Sequence, residues 1–412
     1  MKRSVAWSAG LVAVVSGLCG WRILASNGTE AEYRRQIELA HDDGIPTTWQ
    51  EFEAFIPPAT PEENAAPFYP EFHKLGPAGV TLPMDLTVPG NLQTAKQIVA
   101  KHADMYRLID LAAAKPRCWF NRKWSDGAAV LFPEFAYMKT AARLLALRGS
   151  VEAETGDRAG ALRNADEIFA IGRQAGEEPT VLANLVRAGI DRTGFDTLAK
   201  WRLQHPSEPA YSAAMEKAFG AVPAVNLKRE HSGELLTLLW LLDNEKSAEG
   251  RKKLGLDKDS IPVAADVMMP ALFDAPRARI QLVKDMREYW ESYDMAPTQR
   301  APVQLRITAD MEQNLRAFPV TEMVLTFLGS PWLGSSMQET RYRESHRLVD
   351  YMLLQALRSG KPPAALSGPG YKSPYNGAPL TYRFDGHRIE ITVPGSEVDA
   401  GNLMDVKIPP DK

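Results

Sequence analysis

The sequence predicts a mainly α fold: an irregular, α-solenoid-like array of helical hairpins closed by a small C-terminal β-hairpin. Three observations lead there. Apolar residues recur at helical spacing through most of 92–360. Prolines at 179, 206, 209, 223, 262, 270, 297, 302, 319 and 331 cut that region into helices of ordinary length. Leu380–Phe384 and Arg388–Val393 alternate at period two around Asp385-Gly386-His387, and alternation about an Asp-Gly turn is a strong short-range hairpin signal.

The first element is a leader, residues 1–25. Met1-Lys2-Arg3 is a basic start, and Val5–Trp21 follows without a charge, closed by Arg22. A run of about 17 residues is the lower limit for a membrane-spanning helix and the upper reach of a signal-peptide core. Lys2 and Arg3 would stay in the cytoplasm by the positive-inside rule, which places the rest of the chain outside. Three fates stay open: an uncleaved anchor, which the sequence favours; cleavage after Ile23-Leu24-Ala25; or lipidation of Cys19. Arg22 is unusual near a cleavage site, and Leu18 stands where a lipoprotein box wants a small residue.

Residues 26–91 begin with a short charged helix, in which Glu32, Arg34, Arg35 and Glu38 interleave with Ile37 and Leu39. Prolines from 46 to 89 then forbid long helices, while Trp49, Phe52, Phe55, Phe68, Tyr69 and Phe72 call for packing against the body. The helical domain spans 92–360. One apolar or small face runs through positions 161, 162, 165, 168, 169 and 172, and Ile280, Val283, Met286 and Trp290 repeat the pattern. The same spacing recurs in Leu348, Val349, Met352, Leu353 and Ala356. Leu235–Leu242 is too short to span a membrane and reads as a buried core helix. Residues 361–412 form a Pro/Gly-rich linker and the hairpin tail.

Composition excludes several classes. The 48 basic and 51 acidic residues nearly cancel, leaving −3, so the basic excess of a nucleic-acid binder is missing. Of the 2 cysteines, Cys19 lies in the leader, so no disulfide forms within the body. Cys118, beside Trp119 and Phe120, reads as a small buried hydrophobe. No Cys/His spacing suits a structural zinc site, and no metal or cofactor is implied. Walker, GxGxxG, GxSxG and HExxH motifs are absent.

Residues 134–172 resemble a tetratricopeptide-type hairpin: Gly149 allows close helix approach, Gly156-Asp157 makes the turn and Ala161-Leu162 opens the second helix. Arg173 stands where the closing proline of such a repeat is expected, and no second clear copy follows. More broadly, the run from Pro57-Pro58 through Glu63-Asn64-Ala65-Ala66 to Tyr69 is similar to a segment of exported proteins of Planctomycetes-like bacteria. The helical pair Leu144–Leu162 and the tail Ser373–Tyr382 match the same proteins, with Ser373 where an acidic residue is usual. The resemblance implies an exported, membrane-anchored helical protein and brings no activity or site residues with it.

Two pairs could supply chemistry. His231 and Glu234 are three apart and His346 and Asp350 four apart, spacings that put both partners on one helix face as an acid/base couple or two metal ligands. Neither has an evident third ligand, and ordinary hydrogen bonding explains both. Arg341, Arg343 and Arg347 could form an anion-binding surface, or a solvated face with Glu344 and His346. Glu62-Glu63-Asn64 could be an exposed functional loop. A helix start with Thr60 as cap, Pro61 at the first position and Glu63 closing a capping box accounts for more of its residues.

The favoured function is non-enzymatic: an envelope protein, tethered to the inner membrane by its leader, whose helical body engages a protein or peptide partner. Stacked helical hairpins make concave binding surfaces. An exported hydrolase or lyase with an unrecognised site is one alternative and a periplasmic small-molecule binder another; a cleaved leader would leave the body periplasmic or secreted.

Overall fold

The computed structural model describes residues 29–76, 81–205, 208–221, 226–244, 275–295, most of 299–310, and the strand residues 381–384, 388–392 and 406–407 with positions 378, 379 and 394. The leader and positions 311–377 lie outside the described residues. Among the described residues the protein is mainly α, and no helix is long and apolar enough to cross a membrane.

The charged segment after the leader is helical over 29–42 (α1), supported by i,i+4 pairing of Arg34 with Glu30 at 3.1 Å. In the proline-rich stretch only short helices form. The first, Trp49–Glu53 (α2), carries a full capping box between Thr48 and Glu51. The second is Phe68–Lys74 (α3). Between them the Thr60–Glu63 box corrects the expected helix start. Thr60 Oγ1 does bond Glu63 at 3.0 Å, but residues 61–63 close a turn, and the chain bends into pairing with a distant strip before any helix begins.

Two helices, Asn91–Lys101 (α4) and Ala103–Ala113 (α5), lead through a 3₁₀ segment at Trp124–Ala129 to the long helix Pro133–Glu154 (α6). Proline at the first position of α6 gives up an N–H that would have had no helical partner. Gly156, at φ 87°, turns the chain. Asp157 then caps Arg158–Ala175 (α7) by accepting from Gly160 N. The next helix, Val181–Gln204 (α8), is capped by Thr180, and Pro209–Ala221 (α9) follows. Consecutive helices from α6 to α9 pack on one another, and α8 also lies against α6. Gly149 permits that approach: a Cβ there would stand 2.6 Å from Cη2 of Trp201. Surrounded by α3, α4, α5, α7 and α8, α6 buries side chains nearly all round, from Phe135 and Met138 to Leu147.

The first core joins α3, α5, α6, α7 and α8 through Tyr69, Phe72, Tyr106, Ile109, Leu145 and Ile168. A second core gathers α1, Leu227–His231 (α10), Glu234–Asn244 (α11) and Ala275–Ser292 (α12). Leu235–Leu242 forms the heart of it, and Val283, Met286 and Trp290 face it from α12. Across that core Arg287 of α12 bonds Asp43 just after α1 at 2.5 Å. Phe52, Ile56, Trp124 and Leu236 form a smaller cluster that joins the α2 segment to α11.

The tail hairpin pairs Thr381–Phe384 (β1) antiparallel with Arg388–Thr392 (β2), Phe384 opposite Ile389. A two-residue strand, Val406–Lys407 (β3), extends β2 into a three-stranded sheet that the sequence pattern did not signal.

Candidate functional site

A charged constellation surrounds the turn between α7 and α8, Gly176-Glu177-Glu178-Pro179-Thr180. A helix C-terminus and a helix N-terminus meet there, so unsatisfied carbonyls and unsatisfied N–H groups lie side by side. Side chains from distant segments answer both sets.

Arginines serve the acceptors. Arg229 of α10 donates Nη1 to Gly176 O at 3.1 Å and Nη2 to Glu177 O, placing positive charge at the negative end of α7. Arg117 bonds the Glu177 carboxylate at 3.0 Å and also Pro57 O at 3.1 Å. The Arg122 side chain is largely covered, and its Nε bonds both oxygens of Glu178 at 2.7 and 2.8 Å. Its other nitrogens reach Leu131 O at 2.6 Å and Glu134 at 3.0 Å. The guanidinium also lies over the rings of Phe120 and Phe132, 4.8 and 4.5 Å from their centroids. Burial raises the Glu178 carboxyl to about 7 against the opposing pull of Arg122.

The donors at the start of α8 are met by carboxylate and hydroxyl. Thr180 accepts from Ala183 N, and the Glu234 carboxylate of α11 accepts from Val181 N at 3.1 Å. Burial raises Glu234 to about 7, with Val181 N–H the one contact that lowers it.

The proline-rich segment is bound to the same region. Asn64 Oδ1 accepts from Trp119 N at 2.8 Å while its Nδ2 donates to Trp119 O at 3.0 Å. Backbone bonds run from Arg117 N to Glu63 O and from Ala65 N to Arg117 O. Lys115 Nζ donates to Glu62 O at 2.7 Å. The Glu62-Glu63-Asn64 run is therefore a docking strip for residues 115–119. Cys118 beneath it is buried, and burial, reinforced by Glu177 and Glu178, holds its thiol well above the usual range, so it sits there as a protonated small hydrophobe.

His231 and Glu234 do not share a helix. Ser232-Gly233 ends α10 before α11 begins, and the pair turns to different partners. His231 is buried, with Nδ1 at 2.9 Å from Leu227 O and its ring 5.2 Å from that of Tyr293. Burial lowers it to about 4, while Glu234 caps α8. His346, Asp350, Arg341, Arg343 and Arg347 lie outside the described residues. Among those described, no group of three or more His, Cys, Asp or Glu side chains is placed to hold a metal ion.

Sequence reasoning did not single out Glu177, Glu178, Arg117 or Arg122. An acidic pair immediately before Pro179, at a helix–helix turn, was the available signal; their partners lie about 50 to 60 positions away and leave no local pattern. The constellation joins helix ends and ties the proline-rich segment to the body, and its polar groups are engaged with one another. No family model matches the chain, and neither a curated protein nor a solved structure matches it.

Proposed function

We propose that this chain is an exported, membrane-anchored helical protein that engages a protein or peptide partner in the cell envelope. The observation that carries the non-enzymatic part is the fate of the best acid/base pair. Glu234 accepts from Val181 N–H and His231 bonds Leu227 O, from two different helices. The uncharged run Val5–Trp21 behind Lys2-Arg3 supports export and anchoring. The resemblance to exported Planctomycetes-like proteins supports the same placement. The α6–α7 hairpin, read as tetratricopeptide-like, supports a binding role, since such hairpins offer faces to peptides. Large apolar side chains also stand in water, above all Leu131 at 76% exposure.

Fractionation of a Gram-negative host, with protease treatment of spheroplasts, tests the placement. Full-length protein in the membrane, degraded from outside, is expected, and a protease-protected soluble product would overturn it. Photo-crosslinking through position 131 in the same cells then tests binding. A discrete adduct, lost when other exposed apolar positions such as Leu75 or Leu111 carry the probe instead, is expected. Equal diffuse labelling from all three positions would sink the binding role at that face.

A further inference from the structure

We propose that the corner between α10 and α11 is a proton-controlled joint between the two cores, with the Glu234 carboxyl as its titrating group. This goes beyond the binding role and does not depend on it. The Glu234 side chain ties the first turn of α11 to the first turn of α8 through Val181 N–H at 3.1 Å. Arg229 ties α10 to the same turn through the carbonyls of Gly176 and Glu177. Between these anchors the helix breaks at Ser232-Gly233. The ring of Phe52 presses so close there that a Cβ on Gly233 would stand 2.7 Å from its Cε2. A buried carboxyl therefore sits at the point where one core is hinged to the other.

The charged and titratable groups on the elements meeting there each have contacts of their own, while Arg187 Nε and Nη2 on α8 are buried without a hydrogen-bond partner. Arg229 holds the turn carbonyls and His231 bonds Leu227 O on α10. Glu177 and Glu178 on the turn pair with Arg117 and Arg122. Arg187 and Asp191 on α8 face each other at 3.5 Å, and Tyr293 after α12 lies against the His231 ring. Glu234 has no ion-pair partner among the described residues.

Neutral, the carboxyl fits its apolar surroundings. Ionised, it has one N–H and the positive end of α8 against the whole loss of hydration. Burial raises it to about 7, so ionisation above that range favours an opened corner in which water reaches the carboxylate. His231, lowered by burial to about 4, does not change charge in that window and leaves the response to Glu234.

The test is amide hydrogen exchange on the full chain at about pH 6 and about pH 8, each normalised to the intrinsic exchange rate. Linkage from an ordinary carboxyl to one near 7 makes opening about tenfold more favourable over that interval. Protection in 227–244 is expected to fall by about that factor while protection in α6 holds. Glu234→Gln, which keeps a neutral acceptor for Val181 N–H, is expected to abolish the fall. Flat protection in the wild type, or an undiminished fall in the variant, overturns the joint. Should the variant not fold, the wild type decides alone through its Val181 amide resonance under selective ¹⁵N-valine labelling. A titration with its midpoint near 7 is expected, and a signal without one overturns the proposal.

Discussion

Tyr69 donates a hydrogen bond of 2.6 Å to Gln174 Oε1, joining the short helix α3 to the far end of α7. The same amide donates to Ala112 O at 2.8 Å and Lys115 O at 2.7 Å. One buried side chain thus closes the end of α5, anchors the proline-rich segment and stands a residue away from the charged turn. Replacing it leaves the Tyr69 hydroxyl and Lys115 O without this partner, while Ala112 O keeps the Lys115 N–H; removing the Tyr69 hydroxyl costs the amide one bond.

Gln174→Leu is therefore expected to cost about 3 kcal/mol and Tyr69→Phe about 1 kcal/mol. Because the pair shares one bond, the double variant should cost less than the sum. Urea unfolding of the four proteins measures this. A Gln174→Leu cost no larger than that of Tyr69→Phe would mean that water replaces the lost bonds and that the amide is no keystone.

Arg122 gives a sharper contrast. Its side chain and that of Glu178 are both buried, so Arg122→Met leaves the Glu178 carboxyl either unpaired or forced to take up a proton, and is expected to cost about 3 kcal/mol. Arg122→Met with Glu178→Leu removes the more deeply buried pair and is expected to recover part of that loss, since Glu134 still loses its guanidinium partner. Thermal or urea midpoints of the single and double variants decide it. No recovery in the double variant would point to the stacking on Phe120 and Phe132, not the ion pair, as the source of stability.

Where structure follows local pattern, the sequence revealed it. Gly156-Asp157 and the apolar face of 161–172 announced the α6–α7 hairpin, and the uniform hydrophobicity of Leu235–Leu242 announced a helix buried on most sides. Asp385-Gly386 announced the strand pair β1–β2. Partners distant in sequence were invisible: nothing near Asn64 says that it will bond Trp119. Thr60–Glu63 carries all the residues of a helix start yet closes a turn, because Ala65 and Glu63 pair with Arg117 instead. His231 and Glu234 suggested a shared face because spacing alone was counted. Gly233 between them, pressed against Phe52, was the sign of a break.

Gly149 tests the close approach of α6 and α8 directly. A methyl group there would meet Trp201, whose indole Nε1 already donates to Ser150 Oγ at 3.1 Å. Gly149→Ala gains helix propensity of about 1 kcal/mol but is expected to lose about 1–3 kcal/mol to overpacking, a net destabilisation. In a Trp201→Phe background the same substitution should become neutral or stabilising. Equal effects in both backgrounds would show that α8 shifts to accommodate the methyl without cost.

His231 supplies the prediction with the clearest sign in pH. Its folded value is lowered by burial to about 4, against about 6.5 for an unfolded histidine. A base depressed in this way contributes stability that is present above about pH 6.5 and is lost as pH falls toward its folded value. Over that window the neutral ring is required, and the unfolded chain gains by binding a proton. His231→Phe keeps the ring volume beside Tyr293 and removes the titration, at the cost of the bond to Leu227 O. The free-energy gap between wild type and variant is therefore expected to favour the wild type more at about pH 7.5 than at about pH 4.5. The change should be on the order of 2 kcal/mol, somewhat below the full linkage value to allow for water reaching the ring. Urea midpoints at the two pH values measure it. A gap that does not change with pH would mean that His231 finds an acceptor for a second proton, and that its burial constrains the fold less than its surroundings suggest.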